Sequence, residues 1–188
     1  MAIRWETERL IIRDWVPAED SKQAFEIYGD PNVTRFIGSG KPEESLATQQ
    51  ANLQRMVARF AELKNGTGLW AIVEKNTSQI VRAILLKQLP DNAGQPTQDY
   101  EIGWHLKQAA WGKGYATEAV RAAIDYGFTV LKLPIIYAIV KPQNHASIRV
   151  TQRLGMQPLG LTNQYYNTEA ALFELAAEQF YIRHDLRS

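Results

Sequence analysis

Between a strand-like run that closes at Leu106 and a strongly helical run that opens at Tyr115, the chain carries Trp111-Gly-Lys-Gly-Tyr-Ala-Thr-Glu-Ala119. Glycines one residue apart, between a strand-like and a helical run, leave no Cβ to keep a ligand off the backbone. Such a turn aims several N–H groups the same way. The first N–H groups of a helix also lack intrahelical partners and carry partial positive charge. The segment therefore suits an anion, and a diphosphate above all. Alone it says little, since ordinary strand-to-helix turns also use glycine. Its meaning depends on the surrounding pattern.

That pattern starts with a short strand, Leu10 to Arg13, ended by Val16-Pro17. Ala18 to Tyr28 reads as a helix, and Gly29-Asp-Pro-Asn32 is turn chemistry. A longer helix is predicted from Glu43 to Leu63, with Leu46, Leu53, Met56, Val57 and Phe60 on one stripe and Asn65-Gly66-Thr-Gly68 as its stop. Leu69–Glu74 and Ile80–Lys87 flank the turn Lys75–Ser78 and pair as a hairpin. A polar loop, Asp91–Thr97, leads to the strand Tyr100–Leu106. After the glycine turn, Tyr115–Leu131 is a helix that faces Ala119, Val120, Ala123, Ile124, Phe128 and Leu131 inward. Ile135–Val140 is a β-branched strand, and a helix capped by Asn144 runs to Leu154 and stops at Gly155. Gln157–Gln164 and Ala170–Leu175 close the sheet, and a surface helix or a frayed tail ends the chain.

The order β-α-α-β-β-β-α-β-α-β-β places a hairpin before a parallel β-α-β unit. The fold class is therefore α+β (mixed α/β), with a central twisted mixed sheet and helices on both faces. A dinucleotide-binding fold is excluded, because its glycines follow the first strand. Here they follow the fourth, and Thr117 stands where a third glycine would. With 188 residues, 45% hydrophobic and 22% charged, one soluble domain over residues 1–188 is expected. A net charge of +1 without a basic cluster argues against nucleic acid or an anionic membrane as partner. No apolar run is long enough to span a bilayer. The absence of cysteine removes disulfides, thiolate metal sites and cysteine nucleophiles, and fits a cytoplasmic location. His105, His145 and His184 have no metal-ligand spacing, so no metal is expected.

Three segments resemble one family, the GNAT N-acetyltransferases. Glu101-Ile-Gly-Trp-His-Leu106 followed by Trp111–Ala119 resembles its acetyl-CoA-binding strand and pyrophosphate loop. Asn144-His-Ala-Ser-Ile-Arg149 running into Arg153-Leu-Gly-Met156 resembles its next motif, N-x-x-S…K-L-G-F. The opening Thr7-Glu-Arg-Leu-Ile-Ile-Arg13 is similar to the start of the RimJ/RimL-type branch. The chain departs from the family at Ala109, where the loop pattern has Gln or Arg, and at Met156, where Phe is usual. It also has Arg82 where the hairpin strand usually carries glycine, a change expected to alter the substrate side or a surface.

The resemblance implies a GNAT-like fold and an acyltransferase that moves acetyl from acetyl-CoA, its co-substrate, to a primary amine. Backbone N–H groups from Ala110, Trp111, Gly112, Lys113, Gly114, Tyr115 and Ala116, with Thr117 beside them, would hold the CoA diphosphate. A side chain at Gly112 or Gly114 would collide with phosphate or force the loop open. His105 and Leu106 would lie where the family parts two strands and a pantetheine arm pairs with the free edge. A backbone N–H near Leu106 would face the thioester oxygen. Asn144 is either a helix cap or a hydrogen-bond partner of the pantetheine amide, and both readings stand. Ser147 is a candidate to protonate the departing thiolate, or simply a polar residue near a helix start; water, Tyr165 and Tyr166 compete for that role.

A general base must take a proton from the amine. Glu101 is the first candidate, with a structural carboxylate as the alternative. His105 shares its face by strand alternation, and Glu169 and Glu174 are weaker options. Trp70 and Trp104 read as core, while Trp15, Phe36 and Tyr165 are candidates to line the acceptor site. The acceptor is either a protein N-terminal α-amine, as the RimJ/RimL resemblance suggests, or a small-molecule amine. Without cysteine, attack is expected to be direct, in a ternary complex. A homodimer is expected from relatives. The rival reading is a non-catalytic acyl-CoA-binding or sensing protein of the same fold.

Overall fold

The computed structural model of the chain describes residues 2–185, with side chains to Ile182. Eight strands and six helices alternate as β1 (Ile3–Glu6), β2 (Leu10–Arg13), α1 (Pro17–Tyr28), α2 (Pro31–Thr34), α3 (Leu46–Leu63), β3 (Gly68–Glu74), β4 (Ile80–Pro90), β5 (Pro96–Leu106), α4 (Tyr115–Thr129), β6 (Ile135–Val140), α5 (His145–Leu154), β7 (Gln157–Thr162), β8 (Ala170–Ala176) and α6 (Ala177–Asp185). The strands form one mixed sheet in the order β1-β2-β3-β4-β5-β6-β8-β7. Its parallel step joins β5 to β6 at Glu101↔Tyr137. The β1–β2, β2–β3, β6–β8 and β7–β8 steps are antiparallel.

The backbone clusters into two compact units. The first takes in the chain up to Leu85 together with Trp104–Ala122, and the second takes in Leu86–Gly103 and the chain from Ala123 onward. In the first unit, α1 begins at Val16-Pro17, where Val16 has no side chain able to cap. Instead the Asp20 carboxylate reaches back over the helix start, accepting from the Val16 N–H at 2.7 Å and pairing with Arg13 at 2.6 Å. Ser45 caps α3 by accepting from the Thr48 N–H at 3.1 Å. These helices bury Ala24, Ile27 and Leu53 with Ala71, Val73, Ile80 and Ala83 of the hairpin strands. β4 is buried at almost every position from Ile80 to Leu86, the pattern of a strand covered on both faces.

In the second unit, the later part of α4 buries Ala123, Ile124 and Phe128. Phe128 meets Phe180 of α6 with ring centroids 5.1 Å apart. α5 has the boundaries its caps predict: Asn144 accepts from the Ser147 N–H at 3.2 Å, and Gly155 ends the helix in left-handed backbone at φ 75°.

The structure departs from the sequence reading at several places, among them the start of β5 at Pro96, inside the expected loop, and the end of α4 at Thr129 rather than Leu131. β1 is an added edge strand with no hydrophobic run; its Trp5 packs edge-on against Trp70 at 5.0 Å. The turn expected at Gly29–Asn32 continues into the one-turn helix α2, because Asp30 caps the Asn32 N–H at 2.8 Å and Pro31 presets the first helical φ. α3 starts at Leu46 rather than Glu43, since Ser45 is the cap and the Glu43 N–H is bound to the Tyr28 carbonyl at 2.8 Å. Arg82 lies neither on a surface nor on an open substrate face; it is 0% exposed within β4. Beyond α6, the end of the chain lies outside the described residues, as does the His184 side chain.

Candidate active site

In the first unit, a 3-10 turn at Gln108–Ala110 delivers the chain into the glycine turn. The Ala110 and Trp111 N–H groups are spent inside that turn, on the Lys107 and Gln108 carbonyls at 2.9 Å each. Those two residues, expected among the anion donors, thus have their N–H groups engaged already. No backbone hydrogen bond engages the N–H groups of Gly112 to Ala116 among the described residues. Gly112 and Gly114 have φ of 76° and 79°. A Cβ at Gly112 would meet nothing within 4 Å, and one at Gly114 only the Arg9 Nη2 at 3.5 Å. Within the chain itself, then, glycine is required by backbone conformation rather than by crowding.

The side chains around the turn are ordered by partners from distant sequence. Tyr115 is buried and its hydroxyl donates to Glu74, which holds the phenol above its ordinary range and the Glu74 carboxyl below it. Lys113 and Trp111 are exposed, and the Trp111 indole N–H donates to the Leu106 carbonyl at 3.2 Å. That carbonyl, at the end of β5, is therefore met by a side chain. The Thr117 hydroxyl is buried with no partner among the described residues. His105 Nδ1 lies 3.1 Å from the hydroxyl of Tyr28, whose ring stands edge-on to the imidazole at 5.6 Å. Burial pushes the Tyr28 hydroxyl far up, so it stays protonated. The sequence pointed to His105 but not to Tyr28, its partner across 77 positions.

In the second unit, Glu101 is 7% exposed on β5. It accepts a hydrogen bond from the Tyr166 hydroxyl and lies 3.4 Å from the Lys87 ammonium. Lys87 also sits 5.0 Å from the centroid of the Tyr166 ring. Burial pushes the Glu101 carboxyl up to about 7 and outweighs Lys87, which pulls it down. Tyr166 is carried on the β7–β8 connection with φ of 60°. Its neighbour Tyr165 is buried and donates to Asp99 at 2.7 Å, so that phenol is committed to a structural bond and held far up by burial and by Asp99. Asn144 spends its side-chain oxygen on the Ser147 N–H, which leaves its amide NH₂ for another acceptor. The Ser147 hydroxyl is half-buried and makes no hydrogen bond among the described residues.

Some expectations give way here. Trp15 is 3% exposed inside the hydrophobic cluster of the first unit, so it is core and not an acceptor wall. Lys87, which no motif marks, is a direct neighbour of Glu101. No local pattern in the sequence joins it to Glu101, which lies fourteen positions further along.

A chain with a glycine-opened helix start and a carboxyl near neutrality fits acyl transfer to an amine, and the comparisons agree. The sequence pattern described as "Acetyltransferase (GNAT) domain" matches residues 9–157. The chain is similar to the uncharacterized N-acetyltransferase p20 of Bacillus licheniformis, at 30% identity over 169 residues, or 90% of either chain. Its fold is similar to a GNAT-family acetyltransferase from Bacillus anthracis, with a TM-score of 0.75, 23% identity and coverage of 95% and 99%. It is also similar to the ribosomal-protein-S5-alanine acetyltransferase from Vibrio fischeri, with a TM-score of 0.73, 21% identity and coverage of 93% and 96%. The chain belongs to the GNAT family of N-acetyltransferases and is an enzyme of that class.

Proposed function

We propose that this acetyltransferase works as one catalytic domain that moves acetyl from acetyl-CoA to a primary amine by direct attack in a ternary complex. The observation that carries the reading is Glu101: a buried carboxyl near 7 is half ionised at neutral pH and can take a proton from an ammonium. Acetyl-CoA supplies an activated acetyl thioester. The chain fits it through the N–H groups of Gly112 to Ala116, which neither turn nor helix uses.

In this reading Tyr166 and Lys87 hold the charge of the Glu101 carboxylate until it takes a proton from the ammonium, which leaves a neutral amine. The nitrogen bonds to the carbonyl carbon, while the N–H at Leu106 receives the developing oxyanion. The carbon–sulfur bond then breaks; the thiolate takes its proton from the Ser147 hydroxyl, and the surplus proton on the nitrogen, passed through water, restores that hydroxyl, giving an acetamide and free CoA. The Asn144 NH₂ orients the pantetheine arm while its oxygen caps α5.

A protein N-terminal α-amine is the acceptor we favour. The Thr7-Glu-Arg-Leu opening and the likeness to the Vibrio fischeri enzyme named for ribosomal protein S5 alanine both support it. The test is CoA release from acetyl-CoA with peptides beginning in alanine or serine beside a panel of small amines. Release that depends on peptide supports the α-amine; release with small amines alone reassigns the acceptor. No release with any amine overturns the transfer.

A further inference from the structure

The residues just ahead of β2 are fastened to the glycine turn across more than a hundred positions of sequence. The Arg9 guanidinium donates from Nη1 to the Lys113 carbonyl at 3.0 Å and from Nε to Glu118 Oε2 at 2.7 Å, and its Nη2 lies 2.6 Å from the same oxygen. The Arg9 backbone N–H and the Thr7 hydroxyl both donate to Glu118 Oε1, at 3.0 and 2.6 Å. The guanidinium also lies over the Tyr115 ring, 4.7 Å from its centroid.

Two consequences follow for an anion at the turn. In a trans peptide the C=O and the next N–H point in opposite directions. Arg9 holds the Lys113 carbonyl, so the Gly114 N–H of the same peptide faces away from Arg9. Without that hold the Lys113–Gly114 peptide is free to flip, because glycine accepts either sign of φ. Glu118 matters equally. A carboxylate in the first turn of α4 favours the helix dipole, but it repels an anion bound at the same end. Burial raises the Glu118 carboxyl, yet the bonds from Thr7 and Arg9 outweigh it and keep the group ionised. Arg9 cancels that charge.

We propose that Arg9 is a positioning residue for the diphosphate of acetyl-CoA, fixing the Lys113–Gly114 peptide and neutralising Glu118. The inference rests on the proposed use of acetyl-CoA. Its test is steady-state kinetics with acetyl-CoA and with acetyl-pantetheine, which has the same thioester and arm but no diphosphate. For Arg9→Ala, the KM for acetyl-CoA should rise about tenfold or more while kcat changes less than about twofold, the pattern of lost uniform binding. The kcat/KM for acetyl-pantetheine should stay at the wild-type value. Adding Glu118→Gln to Arg9→Ala should recover part of the lost acetyl-CoA KM, and Arg9→Lys, which keeps the charge without the fork, should fall between. Equal losses with both donors would mark a general loosening of the fold and overturn the inference, as would an unchanged KM. A wild-type enzyme that uses the two donors equally well overturns the diphosphate reading of the turn, and this inference with it.

Discussion

Among single residues, Glu101 is the one on which the proposed transfer turns. Its carboxyl is raised from 4.5 to about 7 by burial, so the base form appears only as pH climbs through neutrality. Activity should therefore rise along a limb centred near pH 7. Glu101→Gln should remove that limb and lower kcat by about a hundredfold or more, the usual worth of a general base. Stability should move the other way. Between pH 4.5 and about 7 the folded chain holds a proton that the unfolded chain has released, so Glu101 weakens the fold as pH rises through this window. Thermal melts of wild type and Glu101→Gln should then diverge as pH goes from 5 to 8, the variant becoming relatively more stable. Tyr166 donates to the charged form of Glu101, so Tyr166→Phe should carry the activity limb to higher pH. A limb that stays in place would show that this bond does not tune the base. Glu101 itself could be singled out from its motif, but its environment could not: Tyr166 lies 65 positions away, and only strand pairing brings Lys87 beside it.

Among the elements, the legible ones were those whose ends are written locally. α5 has an Asn144 cap and a Gly155 stop, and β6 is a short β-branched run; both appear with the expected boundaries. β1 and α2 were not legible. β1 alternates charged and apolar residues at a sheet edge, and α2 depends on a single aspartate cap inside a segment rich in turn residues. The glycine turn was legible as an anion site in outline, but not its brace. Thr7 and Arg9 reach Glu118 only after the chain has folded back over more than a hundred residues. The two roles of Asn144 separate at this scale. Asn144→Ala removes the cap and should cost about 1 kcal/mol of stability in a thermal melt. Asn144→Asp keeps the accepting oxygen and so the melting temperature, but loses the NH₂ donor. If the arm of acetyl-CoA uses that donor, Asn144→Asp should raise the KM for acetyl-CoA without changing the melt. An unchanged KM would leave Asn144 as a cap alone.

Over the whole molecule, the mixed sheet follows from the order of elements, because a hairpin feeding a β-α-β unit requires both kinds of pairing. One position runs against the apolar stretch Ile80–Leu86 of β4: Arg82 is fully buried, and none of its guanidinium nitrogens has a hydrogen-bond partner among the described residues. Burial drives its proton affinity well down, and an uncompensated buried charge destabilises. Arg82→Met keeps most of the volume and removes the charge, so it should raise the melting temperature. A fall would mean that the guanidinium is compensated in solution. Nothing in the sequence around Arg82 announces this burial beyond the hydrophobic run it interrupts. The central claim, that this enzyme holds acetyl-CoA at the turn around Gly112 and Gly114, meets its most direct test in calorimetric titration with acetyl-CoA. Wild type should bind one equivalent, and a folded Gly112→Asp/Gly114→Asp variant should lose that binding, since each aspartate sets a negative charge on left-handed backbone at the anion site. Binding that survives in the folded variant, or a wild type that takes up no acetyl-CoA, would contradict the account.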